Sequence, residues 1–588
     1  MKTHPAIRKP DQTGSALMLV MIMSAVALAI LAGVMTWSAS SARLTHRSIQ
    51  YTRSTAAAEA ATEKVISQIT QDFLSGGQSE VVNHLNTYRT MVPTPSDSSY
   101  WNTWVFDDGN GNLNQTFVQA PTSTNYLVLD STYAGLQGYV SAFTVVSHAR
   151  DTASIQDVNA GVLQQLQLTG IPIFQFYLFS SGNMEISCGQ PFVGTGRVFS
   201  DGHLYIEPDA SMTFESSVSA VLDVLYQRDT VDGDTRGTPA GLPAVFTQPN
   251  QPVFPVPALT LPIGTAFSPT AIREIIEPTP SGEDSSLPIS KLRYNNRCDM
   301  VLTVSNSGVS ATSGAFNNFL IKIPTNELAL FVSTNNNFWD GRESKTVQPI
   351  DIDIGNFTTW SQTSSNVLIA ALGRIPNSIY VVDARTSPTL PDANLGAVRV
   401  FHGTNLPPNG LTVATGRPLY VWGDYNELNS ANLGTSDTSA TRPASLVADA
   451  ITILSDAWLD QNQQTASLNG AAATTVNAAL LTGVVETTQG QYSGGMENFP
   501  RFLESWGPII FTYNGSMMKM FPSFYATNVW EGINYANHYY DPPARNWTYD
   551  TNFDNPTKLP PLTPSFQSVK RRQWVTVAPN VNVAPATP

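Results

Sequence analysis

One apolar run near the N terminus constrains this chain more than any other feature. The run Ser15–Trp37 carries no charge and follows a short leader that contains Lys2, Arg8 and Lys9. At about 1.5 Å per residue, a helix of this length crosses the roughly 30 Å hydrocarbon core of a bilayer. The run therefore predicts one membrane-spanning helix. Because positive charge favours the cytoplasmic side, we expect the leader in the cytoplasm and the body outside the inner membrane, in the periplasm or at the cell surface.

The junction between the leader and the apolar run has a pattern of its own. A secretory signal has about 7 to 15 apolar residues followed by a small-residue cleavage site, whereas here the small residue, Gly14, comes before a longer run. A basic leader, a glycine and then an apolar helix resembles the signal of type IV pilins and pseudopilins, which prepilin peptidase cuts after the glycine. The resemblance implies processing between Gly14 and Ser15, and it implies other pilins, prepilin peptidase and membrane lipid as partners of the helix. An uncleaved signal anchor is the alternative.

Residue 19 indicates which group of pilins the chain resembles most. Counted from Ser15, Leu19 is the fifth residue, a place at which most type IV pilins carry a glutamate. The chain is therefore closer to the PilX-type minor pilins and to the K-type minor pseudopilin of type II secretion, which can lack this glutamate. This resemblance implies a minor component of a type IV pilus or of a pseudopilus, with a role in assembly and no catalysis.

The helix is expected to continue beyond the membrane. Ser54–Phe73 is rich in strong helix formers, and its small and aliphatic residues recur every four positions along one stripe. Such a stripe fits close packing either against another helix or against the protein's own β domain. Gly76-Gly77 is expected to end the helix. The stripe consists of Ala57, Ala61, Val65 and Ile69.

The charge content excludes one broad class of function. Only 13% of the residues are charged, the net charge is −14, and Asn, Thr, Ser and Gly are abundant, as in secreted β-rich proteins. A nucleic-acid binder needs a basic surface that replaces the counterions of the phosphates. The one basic cluster after the first helix, Lys570–Arg572, is interpreted as a solvated surface feature. Nucleic acid is therefore not an expected partner.

Two cysteines, Cys188 and Cys298, are the complete set in the chain. In an oxidising periplasm an even pair is consistent with one disulfide, which would stabilise the fold by about 3 to 5 kcal/mol by constraining the unfolded chain. Two separate buried thiols are the alternative, because the sequence does not show that the two residues meet.

A short internal repeat is the strongest signal after the apolar run. Gly182–Ile186 recurs as Gly202–Ile206, with the glycine, an apolar residue and the isoleucine in the same places. Short strands that return at such an interval are typical of a β-solenoid, in which each coil buries its inward side chains against the next. The repeat therefore predicts a parallel β-helix, and a β-sandwich is the alternative.

A second zone with a similar pattern begins near Leu419, where apolar runs follow one another about 30 residues apart. Three phrases in this zone resemble a bacterial family of PilX-N-terminal proteins with large β-rich bodies, and the likeness extends over nearly the whole chain. It names a family and implies no mechanism. The phrases are Val421–Asn426, Val476–Gly483 and Thr512–Ser516.

Acidic residues supply the few candidates for binding or catalysis. Asp351 and Asp353 alternate along an expected strand, so both carboxylates point to one face about 7 Å apart. That spacing suits a hard cation or acid–base work, and it equally suits the solvent side of a strand. Asp229, Asp232 and Asp234 resemble a calcium loop but miss its spacing. The motifs of zinc proteases, thiol redox proteins, P-loops and α/β-hydrolases do not occur, and no catalytic residue, metal site or cofactor is predicted.

Together these features predict a mainly β protein with a long N-terminal α-helix, followed by a small mixed sheet domain and a β-solenoid-like body. The expected role is structural and not enzymatic: a minor pilin-like component of a type IV pilus or type II secretion pseudopilus, displaying the body for assembly or surface contact. The alternative is a membrane-anchored carbohydrate-binding or carbohydrate-active β-helix protein, with surface glycans as partners. The expected divisions are a basic leader (1–14), the membrane helix (15–37), its extension (38–77), a pilin-like sheet domain (78–170), a first solenoid part (171–230), a proline-rich loop or insertion (231–299), a β-rich insertion (300–405), a second solenoid part (406–520) and an aromatic cap and tail (521–588).

Overall fold

The computed structural model describes residues 13–121, 123–130, 133–231, 243–317, 319–363, 366–461, 468–489, 492, 494–530 and 538–578. Its first element is the long helix α1 (Thr13–Asn83), which is interrupted at Gly77, where φ is 71°. This left-handed conformation favours a residue without a side chain. The predicted end at Gly76-Gly77 is therefore a break, because helical structure resumes beyond it as far as Asn83 and a short helix, α2 (Leu85–Arg89), follows.

An antiparallel sheet packs against the second half of α1. Its strands in the first part of the chain are β1 (Trp104–Asp107), β2 (Phe117–Gln119), β3 (Asn125–Val128), β4 (Gln137–Asp151) and β5 (Ala160–Pro172). Strand β4 pairs with β5 along one edge and with β1, β2 and β3 along the other. These five strands lie between residues 104 and 172, and the boundaries 78–170 of a separate sheet domain stay a prediction.

The small-residue stripe of α1 faces this sheet. Ala57, Ala58 and Ala61 are buried in one cluster with Trp104 and Phe106 of β1. Because alanine carries a single methyl group, the helix lies close to the strands here. Of the two packing partners open to the stripe, the structure has the protein's own β domain. The same face continues into a second cluster, which contains Val65, Ile66, Ile69, Phe73, Phe143 and Leu166.

A series of short strands follows β5: β6 (Phe176–Ser180), β7 (Met184–Ile186), β8 (Phe192–Gly194), β9 (Arg197–Ser200), β10 (Leu204–Ile206), β11 (Met212–Phe214), β12 (Val218–Ala220), β13 (Val224–Leu225) and β14 (Val245–Phe246). The two copies of the sequence repeat are β7 and β10, which pair in parallel with Met184 opposite Leu204. Strands β8 and β11, and strands β9 and β12, pair in parallel at the same offset in sequence. The interval of the sequence repeat therefore equals the length of chain that separates one strand from the strand it pairs with.

The rest of the body consists of further strands and short helices. The strands are β15 (Met300–Ser305), β16 (Gly308–Ser313), β17 (Lys322–Ile323), β18 (Val332–Ser333), β19 (Phe338–Asp340), β20 (Lys345–Asp353), β21 (Ser378–Ala384), β22 (Leu395–Gly403), β23 (Leu411–Thr415), β24 (Leu419–Tyr425), β25 (Ala444–Ala448), β26 (Ile451–Leu454), β27 (Thr474–Val484), β28 (Arg501–Phe502), β29 (Ile510–Pro522) and β30 (Ala544–Tyr549). The helices are α3 (Pro269–Arg273), α4 (Pro288–Leu292), α5 (Tyr294–Arg297), α6 (Thr325–Leu328), α7 (Ile354–Ser361) and α8 (Val367–Leu372).

One long parallel ladder joins the two strand-rich parts of the chain. Its order is β12, β9, β6, β29, β27, β25, β23, β21 and β15, and each neighbouring pair is parallel. The early strands β6, β9 and β12 thus extend one end of a stack that later parts of the chain form. A second parallel ladder runs β20, β22, β24, β26 and β28. A mainly β body behind a long N-terminal helix is therefore confirmed.

The proline-rich stretch between the two parts is more than an extended loop. In its described portion, Leu259, Leu261 and Ile263 are buried in the main hydrophobic cluster. Arg273 of α3 donates a hydrogen bond of 2.6 Å to the buried carboxylate of Asp449 in the body. The prolines limit regular pairing in the described portion to the two-residue strand β14, which pairs with β11, and other residues of the stretch nevertheless pack into the core.

The last strand, β31 (Ser565–Val577), returns to the first sheet and pairs antiparallel with β5. It carries the basic triplet, which the sequence analysis interpreted as a solvated surface feature. Arg571 binds Glu63 of α1 at 2.7 Å and lowers the pKa of that carboxyl group, while Lys570 and Arg572 both contact Asp130 at 2.8 Å. The triplet is therefore partly exposed and also links the end of the chain to the helix and to its sheet.

Gly515 explains one of the phrases that stand out in the sequence. A Cβ atom at this position would lie 2.0 Å from the carbonyl oxygen of Ala478 on the neighbouring strand and 2.5 Å from the hydroxyl of Tyr513. No side chain fits in that space, and glycine in a strand interior commonly marks such a close approach. The glycine of the phrase Thr512–Ser516 is thus required by the contact between β27 and β29.

Candidate functional site

The first half of α1 is not covered by any other part of the described chain. Every residue from Ser15 to Ile49 is exposed, and Trp37 is 71% exposed. Burial begins at Gln50 and continues through the half of the helix that packs on the sheet. The helix is long and apolar enough to cross a membrane, and its exposed half is a candidate membrane span.

The predicted processing site lies at the start of this helix. Helical structure begins at Thr13, so the peptide bond between Gly14 and Ser15 lies in its first turn. The basic residues of the leader fall outside the described residues. Cleavage between Gly14 and Ser15 stays a prediction.

The two cysteines are not joined in the structure. Cys188 and Cys298 are both buried free thiols. Burial raises the pKa of the Cys188 thiol to about 12 and raises that of Cys298 as well, so neither is a ready thiolate at neutral pH. Of the two alternatives, the structure has the separate buried thiols.

Asp351 and Asp353 do not form a shared site. Asp351 is 1% exposed and accepts hydrogen bonds of 2.7 and 3.0 Å from Arg399, its register partner on β22. Asp353 instead caps α7, accepting the backbone N–H of Asn356 at 2.9 Å, and lies 3.0 Å from Nδ1 of His402. One carboxylate therefore neutralises a buried cation and the other ends a strand and begins a helix.

Arg399 is the centre of a buried charged cluster. Its guanidinium group is 0% exposed and also binds Asp460 at 3.0 Å. The same group lies 4.8 Å from the centre of the Trp422 ring and 5.3 Å from that of Phe338. The cation is thus held between two carboxylates and two aromatic rings, an arrangement that compensates its loss of water.

The calcium-loop prediction lies mostly outside the described residues. Asp232 and Asp234 are not described, and Asp229 accepts a hydrogen bond of 3.2 Å from the backbone N–H of Val231. Within the described part of the chain, no group of three or more His, Cys, Asp or Glu side chains is arranged to hold a metal ion.

A cleft of about 340 Å³ opens on the second ladder beside the Arg399 cluster. Phe401 of β22 is the register partner of Trp422 on β24, and their ring centres are 5.8 Å apart. Asp424 lies further along β24, and Asp456 lies two residues beyond the end of β26, whose pairing with β24 ends at Trp422 and Leu454. We call this space the carboxyl cleft; its lining residues are Phe401, His402, Thr404, Trp422, Asp424 and Asp456.

The two carboxyl groups of the cleft interact with one another. Burial raises the pKa of Asp424 to about 6, and the adjacent carboxyl group of Asp456 contributes to the same shift by charge repulsion and a hydrogen bond. The backbone N–H of Thr475 donates to Asp424 at 2.7 Å and partly opposes the shift. Near pH 6 the pair therefore offers both a hydrogen-bond donor and acceptors.

Backbone features around the cleft fix the positions of its side chains. A Cβ atom on Gly423, where φ is 77°, would lie 2.2 Å from Oδ1 of Asp456. His402 has an unusual φ of 52° and lies at an irregularity in the pairing of β22 with β24. Such irregularities re-aim side chains next to binding sites.

The Asp424→Asn variant tests the shifted pKa. A raised carboxyl pKa stabilises the fold below the ordinary pKa of the group, and this contribution is lost as the pH rises through about 6. The measured quantity is the melting temperature of the variant minus that of the wild type. We expect this difference to be more positive at about pH 7 than at about pH 4. Thermal unfolding at both values measures this. The exposed Asp157→Asn variant serves as a control with no such change, and an equal offset at both values for Asp424→Asn contradicts the assignment.

The cleft residues were missed by the sequence analysis, although Asp424 lies in one of the quoted phrases. Asp424 and Asp456 are distant in sequence and become neighbours only through the parallel pairing of β24 with β26, in which Leu419 faces Ile451. The sequence carries one related signal, the spacing of about 30 residues between successive apolar runs, which is close to the separation of Asp424 and Asp456.

Comparisons with known proteins identify no family for this chain. No protein-family model and no curated protein matches the chain. Among solved structures, the competence-associated pilin ComZ from Thermus thermophilus is similar with a TM-score of 0.24 and 10% sequence identity, over 87% of this chain and 97% of that one. A TM-score of this size does not establish a common fold.

Proposed function

We propose that this chain is a membrane-tethered, pilin-like structural component of a type IV pilus or of a type II secretion pseudopilus. The observation that carries the proposal is the division of α1 into two halves. The first is uncharged from Ser15 to Trp37 and exposed, and the second is buried on an antiparallel sheet of the same chain. A helix built in this way presents an apolar rod on a folded head.

The exposed half needs a cover that the described chain does not provide. Lipid supplies it while the protein is in the membrane, and apolar helices of neighbouring subunits supply it in a filament, because both remove the same side chains from water. Leu19 replaces the glutamate usual in the bulk subunit, which favours a minor one. The chemistry of this role is assembly without turnover.

We further propose that the parallel ladders wind as a β-solenoid, or parallel β-helix, displayed outside the cytoplasmic membrane. The support is the constant sequence offset between paired strands in the early part of the body. A coil of constant length buries its inward side chains against the next coil. An elongated body of this type extends from the head and suits contact with a surface or substrate.

The mature N terminus tests the pilin pathway. We expect mass spectrometry of the protein from its native host to find a terminal peptide that begins at Ser15. In a strain without prepilin peptidase, that peptide should be replaced by one that retains the leader. Filaments sheared from the wild-type cell surface should contain the processed form. An intact leader in both strains would show a simple signal anchor and contradict the proposal.

A further inference from the structure

We propose that the carboxyl cleft binds a neutral saccharide. The proposal goes beyond assembly, and it concerns only the body, so it does not depend on how the N terminus is processed. It assigns a ligand class to a space formed by neighbouring parallel strands. The cleft volume of about 340 Å³ lies within the range of small-ligand sites.

The aromatic wall of the cleft fits the apolar face of a sugar ring. Trp422 is half-buried, so part of its indole is accessible from the cleft and the rest is packed. Arg399 packs against the same ring at 4.8 Å. Phe401 lies beside it on the neighbouring strand, and the two rings, tilted by 35° to one another, form a short, angled platform. Stacking on such a platform favours a flat, weakly polar face.

The charges of the cleft select the class of ligand. Among the residues that the structure describes, none that lines the cleft is Lys or Arg, and His402 is engaged by Asp353 at 3.0 Å. An anionic ligand would meet Asp424 and Asp456 without a cation to balance its charge. A purely apolar ligand would cover both carboxyl groups without offering them a hydrogen bond. A hydroxyl group both donates and accepts. Because Asp424 titrates near pH 6, the pair presents both kinds of partner to vicinal hydroxyls.

The cleft is held in place before any ligand arrives. The buried Asp351–Arg399 pair packs under Trp422, and Asp353 orients His402. Asp351 and Asp353, the acidic residues that the sequence singles out, are therefore positioning residues. Such preorganisation reduces the entropy lost on binding.

Calorimetric titration of the full chain in phosphatidylcholine nanodiscs tests the proposal. Nanodiscs are used because the headgroups of sugar-based detergents would compete with the probes. The probes are cellopentaose, maltopentaose, xylopentaose and penta-N-acetylchitopentaose. We expect at least one of them to bind, and we expect Trp422→Ala to weaken that binding about tenfold or more. Asp456→Asn, at an exposed position, should weaken it as well. Trp574→Ala, which removes an exposed tryptophan on β31, is the matched control and should leave binding unchanged.

The pH dependence gives a second readout that a folding defect would not reproduce. The wild type should change affinity between about pH 5 and pH 7 as Asp424 titrates, whereas Asp424→Asn should not. Several results would overturn the proposal: no binding of any probe at millimolar concentration, equal losses in Trp422→Ala and Trp574→Ala, or binding of calcium chloride or tetramethylammonium chloride in place of the sugars. Failure here with a processed N terminus leaves the pilin proposal standing, so the two are separable.

Discussion

Replacing Arg399 with methionine is expected to lower the free energy of unfolding by about 3 to 5 kcal/mol. Methionine fills much of the space of the arginine stem but carries no charge. The variant therefore leaves the carboxylate of Asp351 buried at 1% exposure with no cation beside it. An unpaired buried charge costs far more than the net value of the pair. Unfolding by guanidinium, followed by circular dichroism, measures the change.

Two further variants separate charge from packing. Arg399→Met combined with Asp351→Asn removes both buried charges, and we expect it to recover at least about half of the lost stability. Arg150→Met breaks an ion pair of 3.7 Å with Asp157, whose side chain is 81% exposed, and should change stability by less than about 1 kcal/mol. An equally large loss in the double variant would show that packing around Arg399 matters more than its charge.

The cluster also shows what the sequence could reveal about acidic residues and what it could not. Alternation along a strand placed Asp351 and Asp353 on one face, and that part followed from the geometry of any strand. Their environments depend on Arg399, which is 48 residues further along the chain from Asp351, and on α7, which begins immediately after the strand. A local pattern carries no information on the first of these.

The same distinction holds for the fold. The interval between Gly182–Ile186 and Gly202–Ile206 predicted parallel neighbours, because a constant interval leaves each strand facing the preceding one. The order of the strands in the long ladder could not be predicted from the sequence, because β6 pairs with β29 across more than half of the chain. The return of β31 to β5 is of the same kind. Both depend on which exposed strand edges meet, and composition does not record that choice.

Helix α1 was the element that the sequence predicted best. The surface on which its small-residue stripe packs was not predicted. Length and apolar composition sufficed to predict a single membrane span, whereas the small-residue stripe at Ala57 and Ala61 fitted a helix partner and a sheet partner equally. The structure places those alanines against Trp104 and Phe106. A small side chain permits close approach by either kind of surface, so the stripe alone does not distinguish them.

Removing residues 1–49 is expected to move the protein from the membrane fraction to the soluble fraction while leaving the folded head and body intact. The deletion ends where the helix becomes buried, at Gln50, so it removes exposed apolar side chains and no contact with the sheet in the described chain. Each such side chain contributes about 1.5 to 3 kcal/mol to membrane transfer when fully buried, so a run of this length binds almost irreversibly. Carbonate extraction followed by ultracentrifugation of wild-type and truncated protein measures the partition.

A longer deletion, of residues 1–83, is the informative contrast. It also removes Val65, Ile69 and Phe73, which are buried against Phe143 and Leu166 of the sheet. Because loss of each large core side chain costs about 2 to 5 kcal/mol, the antiparallel sheet should lose its cooperative unfolding and aggregate. If the shorter truncation stayed in the membrane fraction, another surface would be responsible for anchoring. If the longer one unfolded with the same midpoint as the shorter, the second half of α1 would not be part of the folded head, and the two-part description of the helix would be wrong.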